Sequence, residues 1–310
     1  MAHSAWHVLG CATLFVLVPL ALQGCGPASA DVPAGTIDAV GAENQYANVI
    51  SQIGGKYVHV TAVLSNPNTD PHTFEASPSV ATAVSGAKLL LQNGVGYDSF
   101  MNKIESNGSS ASGRRIIDVQ TLLGLPDSTP NPHVWYKPST MPAVATAIEK
   151  DLADLLPTHK QYFQSRLTTF QQSLTPWKQA IAHLKATFAG APVATTEPVS
   201  DYLLQAAGLN NKTPFKFQAD VMNGTDLPPQ FVSLENNLLA YHQVKVFIYN
   251  RQVVDSTTQS FLSLAKQSHV PVVGVYETMP TPGFSYQTWM LAETRALQRA
   301  LAAKQSTQSL

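Results

Sequence analysis

The sequence predicts an α/β protein of two lobes, each a parallel-type sheet flanked by helices, joined by one long backbone helix. Three observations carry this expectation. Short β-rich runs alternate with helical patterns over residues 37–157, the grammar of a parallel sheet covered by helices. The same alternation returns over residues 191–303. Between the two, Phe163, Leu167, Phe170, Leu174, Trp177, Ile181, Leu184 and Phe188 recur at spacings of four and three, one apolar stripe on a helix of about seven turns.

The elements follow in chain order. No Asp, Glu, Lys or Arg precedes Asp31, and Val8–Leu22 is apolar throughout. That run is shorter than the ~20 residues a membrane span needs and suits the core of a signal peptide. It ends in Leu22-Gln23-Gly24-Cys25, which resembles a bacterial lipobox. Residues 1–24 are therefore expected to be cleaved, leaving Cys25 as a lipid anchor at the new N-terminus. Cys11 would leave with the leader, so the mature chain would hold no cysteine pair. Residues 25–36 are small, polar and Pro-bearing, a flexible tether. In the first lobe, residues 37–157, strands are expected at Ile37–Ala42, Val58–Leu64, Leu89–Gln92 and Ile116–Val119, with helices at Glu43–Ile53, Ser77–Ser85 and Pro142–Leu156. The connecting helix occupies residues 158–190; Pro176 predicts a kink in it and Gly190 its end. In the second lobe, residues 191–303, strands are expected at Pro192–Thr195, Lys245–Tyr249 and Val270–Val275. Helices are expected at Asp201–Ala207, Ser256–Gln267 and Thr288–Ala303, with a short tail at 304–310.

Composition restricts the function. Of 310 residues, 44% are apolar and 13% charged, with a formal net charge of -1. The apolar share suffices for a buried core. Balanced charge without long blocks of one sign gives no footprint for a phosphate backbone, so nucleic acid is not an expected partner. Gly-x-Ser-x-Gly, His-Glu-x-x-His, a phosphate-cradling loop and Cys-x-x-Cys are all absent, so the common catalytic motifs offer no lead.

Four side chains stand out by position. His72 lies in Asn68-Thr69-Asp70-Pro71-His72-Thr73-Phe74-Glu75, and His133 in Asn131-Pro132-His133-Val134-Trp135. Both imidazoles directly follow a proline, which restricts the backbone before each ring and lowers the entropy lost on holding it. Glu197 and Glu277 follow the strands at Pro192–Thr195 and Val270–Val275. Ligands of open α/β sheets bind beyond the carboxyl ends of the strands, so both glutamates are expected to point between the lobes. Glu75, Asp98 and Asp255 are candidates to support them; His59, His159, His183, His242 and His269 read as structural or exposed.

At these residues the chain resembles the metal-binding receptors of zinc- and manganese-type ABC importers. The resemblance runs from about Ile37 to Ala302 and rests on Ile53-Gly54-Gly55-Lys56, Asp70-Pro71-His72-Thr73-Phe74-Glu75, Asn93-Gly94-Val95-Gly96, Asn131-Pro132-His133-Val134-Trp135 and the long helix. It implies a single metal ion between two lobes, with His72 and His133 as the ligands of the first lobe and Glu197 as the third ligand. Glu277 would replace the aspartate usual at the fourth position. The His-rich loop of many zinc-binding members is absent.

The resemblance further implies a lipid-anchored extracytoplasmic monomer, with an ABC permease and its ATPase as partners. Two imidazoles and two carboxylates suit Mn²⁺ or Fe²⁺, because either carboxylate can ligate through both oxygens, with Zn²⁺ a close second. A secreted metallohydrolase using the same ligands and an organic-solute receptor of the same architecture remain alternatives. The first needs an open coordination position and a nearby general base; the second needs apolar groups such as Trp135, Tyr136 and Phe284 converging on the cleft.

Overall fold

The computed structural model describes residues 1–3, 5, 35–67, 74–107 and 110–310. Most of the leader (residues 4 and 6–24), the tether through residue 34, Cys25 and His72 lie outside the described residues. From the chain order come β1 (Ile37–Glu43), α1 (Asn44–Gly54), β2 (Val58–Leu64), α2 (Pro78–Gly86), β3 (Leu89–Gln92), α3 (Ser99–Asn107), β4 (Arg115–Asp118), α4 (Val119–Leu122) and α5 (Thr140–Leu155). Two helices follow, α6 (Lys160–Ser173) and α7 (Thr175–Phe188), then β5 (Pro192–Thr195), α8 (Asp201–Ala206), β6 (Asn210–Asn211), α9 (Phe215–Met222), α10 (Pro229–Ala240), β7 (Val246–Asn250), α11 (Ser256–Gln267), β8 (Val272–Val275) and α12 (Tyr286–Ala303).

The strands form two four-stranded sheets, ordered β2-β1-β3-β4 and β6-β5-β7-β8. Every pairing is parallel, with Ile37 opposite Val58, Leu89 opposite Arg115, Val193 opposite Val246 and Phe247 opposite Val272. Central strands such as Leu89-Leu90-Leu91 and Val246–Asn250 are buried along their whole length, as expected of a parallel sheet covered on both faces. Close approach requires Gly41: a Cβ there would lie 2.5 Å from the backbone nitrogen of Ala47 in α1.

The connecting segment is helical from Lys160 to Phe188, interrupted once at Leu174. Pro176 falls in the first turn of α7, where its missing N–H costs no helical hydrogen bond. The helix is thus interrupted two residues before the proline, at Leu174. Gly190 follows the helix with φ +77°, the left-handed conformation that ends helices and favours glycine.

One apolar core runs through both lobes, joining Leu89, Leu91 and Trp135 to Trp177, Val193, Val273 and Trp289. Smaller clusters lie behind each sheet, around Val40, Leu90 and Met101 and around Phe217, Phe247 and Phe261. Polar bonds add to the contact between lobes. The Asn44 amide donates to Met279 O at 2.7 Å and accepts from Met279 N at 3.0 Å. Tyr286 donates to Trp135 O at 2.6 Å.

Candidate metal site

The carboxyl ends of the central strands gather at one place. Glu43 ends β1, the loop Asn93–Asp98 follows β3, Glu197 follows β5, Asn250 ends β7 and Glu277 follows β8. His133 enters from the first lobe just before a single 3₁₀ turn, Val134–Tyr136. His133, Glu197, Asn250 and Glu277 are all buried.

The setting of the His133 ring follows from its neighbours. Asn131 Oδ1 accepts from His133 N at 3.0 Å and lies 2.8 Å from His133 Nδ1, while Asn131 Nδ2 donates to Pro198 O at 2.8 Å. These bonds fix the Asn131 amide, so Nδ1 is the nitrogen that carries the proton. On the other side of the ring Nε2 makes no hydrogen bond and lies 3.3 Å from Glu277 Oε2. A buried imidazole nitrogen and a buried carboxylate oxygen thus face each other, and both are atom types that ligate a metal cation.

Glu277 is held from several sides. Tyr97 donates its hydroxyl proton to Oε2 at 2.9 Å. The Asn250 amide donates to Oε1, and the Glu277 backbone N–H donates to Gln252 Oε1 at 2.7 Å. The same Asn250 nitrogen donates to Glu197 Oε2 at 3.1 Å. His133 and Glu277 therefore meet directly, and Glu197 joins them through Asn250. Among the described residues no three His, Cys, Asp or Glu side chains form a complete metal-holding group.

Neighbouring carboxyls sit in the same low-dielectric region. Glu43 occupies the cap position of α1 without making a capping bond, and neither of its oxygens has a hydrogen-bond partner. Burial, and after it the Asp98 carboxylate, push its carboxyl well above the ordinary range. Burial also lifts Asp98 to about 6, against the pull of the Asn93 and Gly94 N–H groups that it accepts. On α12, Glu293 ties together the loops that carry His133 and Glu277: Oε2 accepts from Tyr136 at 2.6 Å and Oε1 from Tyr276 N at 3.1 Å. Burial raises Glu293 to about 8 despite these bonds and a third from Trp289.

The supporting candidates fare differently. Asp98 braces the Asn93–Gly94 turn, Asp255 caps α11, and Glu75 is exposed. Trp135 and Tyr136 do not line an organic-ligand cleft: both are fully buried in the shared core, and Tyr136 spends its hydroxyl proton among Tyr276 O and Glu293. The other histidines serve locally. His59 lies 3.1 Å from Asp38, His159 stacks on Tyr57 at 3.9 Å, His183 is exposed, and His242 and His269 close helices with φ of 53° and 54°. Sequence reasoning missed Asn250, Tyr97 and Glu43. Asn250 was within its reach, since it ends the strand between those that lead to Glu197 and Glu277.

The sequence profile described as "Zinc-uptake complex component A periplasmic" matches residues 40–300. The "Manganese-binding lipoprotein MntA" of Bacillus subtilis is 28% identical over 174 residues, 53% of this chain and 56% of that protein. The "Metal ABC transporter substrate-binding lipoprotein FimA" of Streptococcus parasanguinis is 22% identical over 276 residues, 84% of this chain and 85% of that protein. Among solved structures, the "periplasmic zinc binding protein TroA from Treponema pallidum" superposes with a TM-score of 0.72 at 18% identity, covering 87% of this chain and all of that one. A manganese-bound periplasmic metal binding protein from Candidatus Liberibacter asiaticus superposes with a TM-score of 0.68, also at 18% identity.

Proposed function

We infer, from the premise that this chain belongs to the family of periplasmic A components of zinc-uptake complexes, that it captures one divalent transition-metal ion between its lobes and delivers it to an ABC permease driven by an ATPase. The family is one of transport receptors rather than enzymes. The observation that carries the reading is the buried Nε2 of His133, without a hydrogen bond, opposite the Glu277 carboxylate. An imidazole whose other nitrogen is tied down, facing a carboxylate, is the usual setting of a metal-ligating histidine.

We assign His72, His133, Glu197 and Glu277 as the ligands. Support for His72 comes from its flanks: Asn66 and Phe74 line a cavity of about 70 Å³ together with Thr278, the residue after Glu277. Zn²⁺ and Mn²⁺ are both cargo candidates, since relatives of this chain are named for each. The proposal extends to a leader of residues 1–24 and a lipid on Cys25, which would tether a monomer outside the cell membrane. In its support, two relatives are named lipoproteins, and among the described residues no helix is long and apolar enough to cross a membrane.

Competition of the mature chain against a chelating dye tests the site. His72→Ala and His133→Ala are each expected to weaken ion binding by about 100-fold or more. Wild-type affinity in both variants would remove the assignment.

A further inference from the structure

Tyr136 Oη has two close neighbours, Glu293 Oε2 and Tyr276 O, each at 2.6 Å. A phenol hydroxyl carries one proton, so it serves only one of two acceptors. No other donor reaches Tyr276 O among the described residues. Glu293 is fully buried, and its Oε1 accepts from Trp289 Nε1 at 2.7 Å and from Tyr276 N at 3.1 Å. An ionised Glu293 would therefore set two acceptors, Oε2 and the carbonyl, around a single proton, with a charge buried beside them. A proton on Oε2 resolves the conflict: Oε2 donates to Tyr136 Oη, Tyr136 donates to Tyr276 O, and Oε1 keeps its two donors. Every polar atom of the group then has a partner.

That chain of bonds ties one side of the site to the other. Tyr136 closes the 3₁₀ turn that begins right after His133, and Tyr276 directly precedes Glu277. Both backbone groups of Tyr276 are engaged, its nitrogen by Glu293 and its oxygen by Tyr136. We propose that Glu293, held as the carboxylic acid, is the positioning residue that keeps His133 and Glu277 in register for an ion, and that loss of its proton releases them. This inference rests on His133 and Glu277 being ligands. The surroundings of Glu293 hold no competing charge. α12 packs against α1, α7, β7 and β8; only α7 among these carries charged side chains, and Lys178, His183 and Lys185 are all exposed, as are Arg295 and Arg299 on α12 itself. Arg251 lies over the Tyr276 ring, 5.7 Å from its centroid. Burial holds the hydroxyls of Tyr46, Tyr136, Tyr249 and Tyr286 above their ordinary value, so they stay protonated. It also raises the Glu293 carboxyl to about 8. The competent acid form therefore prevails below pH 8, and release belongs to the alkaline side.

The test measures the Zn²⁺ affinity of the mature chain by chelator competition at pH 7 and pH 9. Glu293→Gln keeps the shape of the neutral acid, with an NH₂ group to donate to Tyr136 and an oxygen to accept, and it has no acid proton to lose. It is expected to match wild type at pH 7 and to bind about tenfold more tightly than wild type at pH 9, where only about a tenth of the wild-type molecules keep the acid. Comparing the two proteins at each pH cancels the titration of the ligands and the hydrolysis of the ion. An affinity ratio that is the same at both pH values overturns the inference, and so does a Gln variant weaker than wild type at pH 7. Tyr136→Phe cuts the chain of bonds and should weaken binding about tenfold at pH 7, with no further fall at pH 9 relative to Glu293→Gln. Wild-type affinity of Tyr136→Phe at pH 7 also counts against the inference, and this variant carries the test if Glu293→Gln does not fold. Wild-type affinity in both His133→Ala and Glu277→Ala would instead defeat the ligand assignment beneath it.

Discussion

At the scale of single residues, most described polar groups of the site have defined partners, and Glu43 is the carboxyl that lacks them. Glu43 is 1% exposed and makes no hydrogen bond through either oxygen. A buried polar group in that condition is a net loss to stability. Glu43→Met, similar in length and without a group to satisfy, is expected to raise the stability of the ion-free protein by about 1 kcal/mol, read as a higher midpoint in urea. A lower midpoint would mean that the carboxyl supports the fold. The gathering of His133, Glu197 and Glu277 was legible because they occupy strand ends and a Pro-His turn, features of local sequence. Tyr97 was not, because a phenol acquires its role only from the groups that the folded sheets bring beside it. Tyr97 lies 180 positions from the glutamate it touches, and no spacing rule spans that separation.

At the scale of elements, the connecting helix shows what periodicity does and does not tell. Its apolar stripe runs unbroken through Leu174 and Trp177, both fully buried, so the pattern reads as continuous although the backbone is not. Because Pro176 begins α7, Pro176→Ala should change stability by less than about 1 kcal/mol, well short of the ~3 kcal/mol that a helix-interior proline imposes; thermal unfolding of the variant checks this. Strands Val58–Leu64, Leu89–Gln92 and Pro192–Thr195 were legible to the residue because their β-rich runs stop at turn residues. By contrast, α9 and α10 went unread. Pro214, Pro228 and Pro229 look like breaks in sequence, but they stand at helix starts, where a fixed φ is an advantage. Strand β6 is the pair Asn210–Asn211, whose polar side chains give no β signal and whose pairing with β5 is a product of the tertiary fold.

At the scale of the whole molecule, the lobes share a core and are joined by buried bonds such as the Asn44–Met279 pair. Ion capture is therefore expected to rearrange loops while leaving the lobes nearly fixed. Small-angle scattering with and without ion checks this, and a closure of tens of degrees would contradict it. Stability should also respond to pH in a defined direction. Glu235 and Glu293 are lifted from 4.5 to about 8, chiefly by burial. Below pH 4.5 both folded and unfolded states hold these protons and no penalty exists. As pH rises toward 8 the unfolded chain releases them while the folded chain retains them, so the ion-free protein loses stability across that window. Urea midpoints at pH 5.5 and pH 8 should show the lower value at pH 8. The central claim, one ion held between the lobes, is tested most directly by anomalous X-ray scattering from crystals of the mature chain loaded with Zn²⁺. The account predicts one peak, about 2.0–2.2 Å from His133 Nε2, Glu197 Oε1, Glu277 Oε2 and an imidazole nitrogen of His72. A loaded crystal with its ion elsewhere, and none between His133 and Glu277, would contradict it.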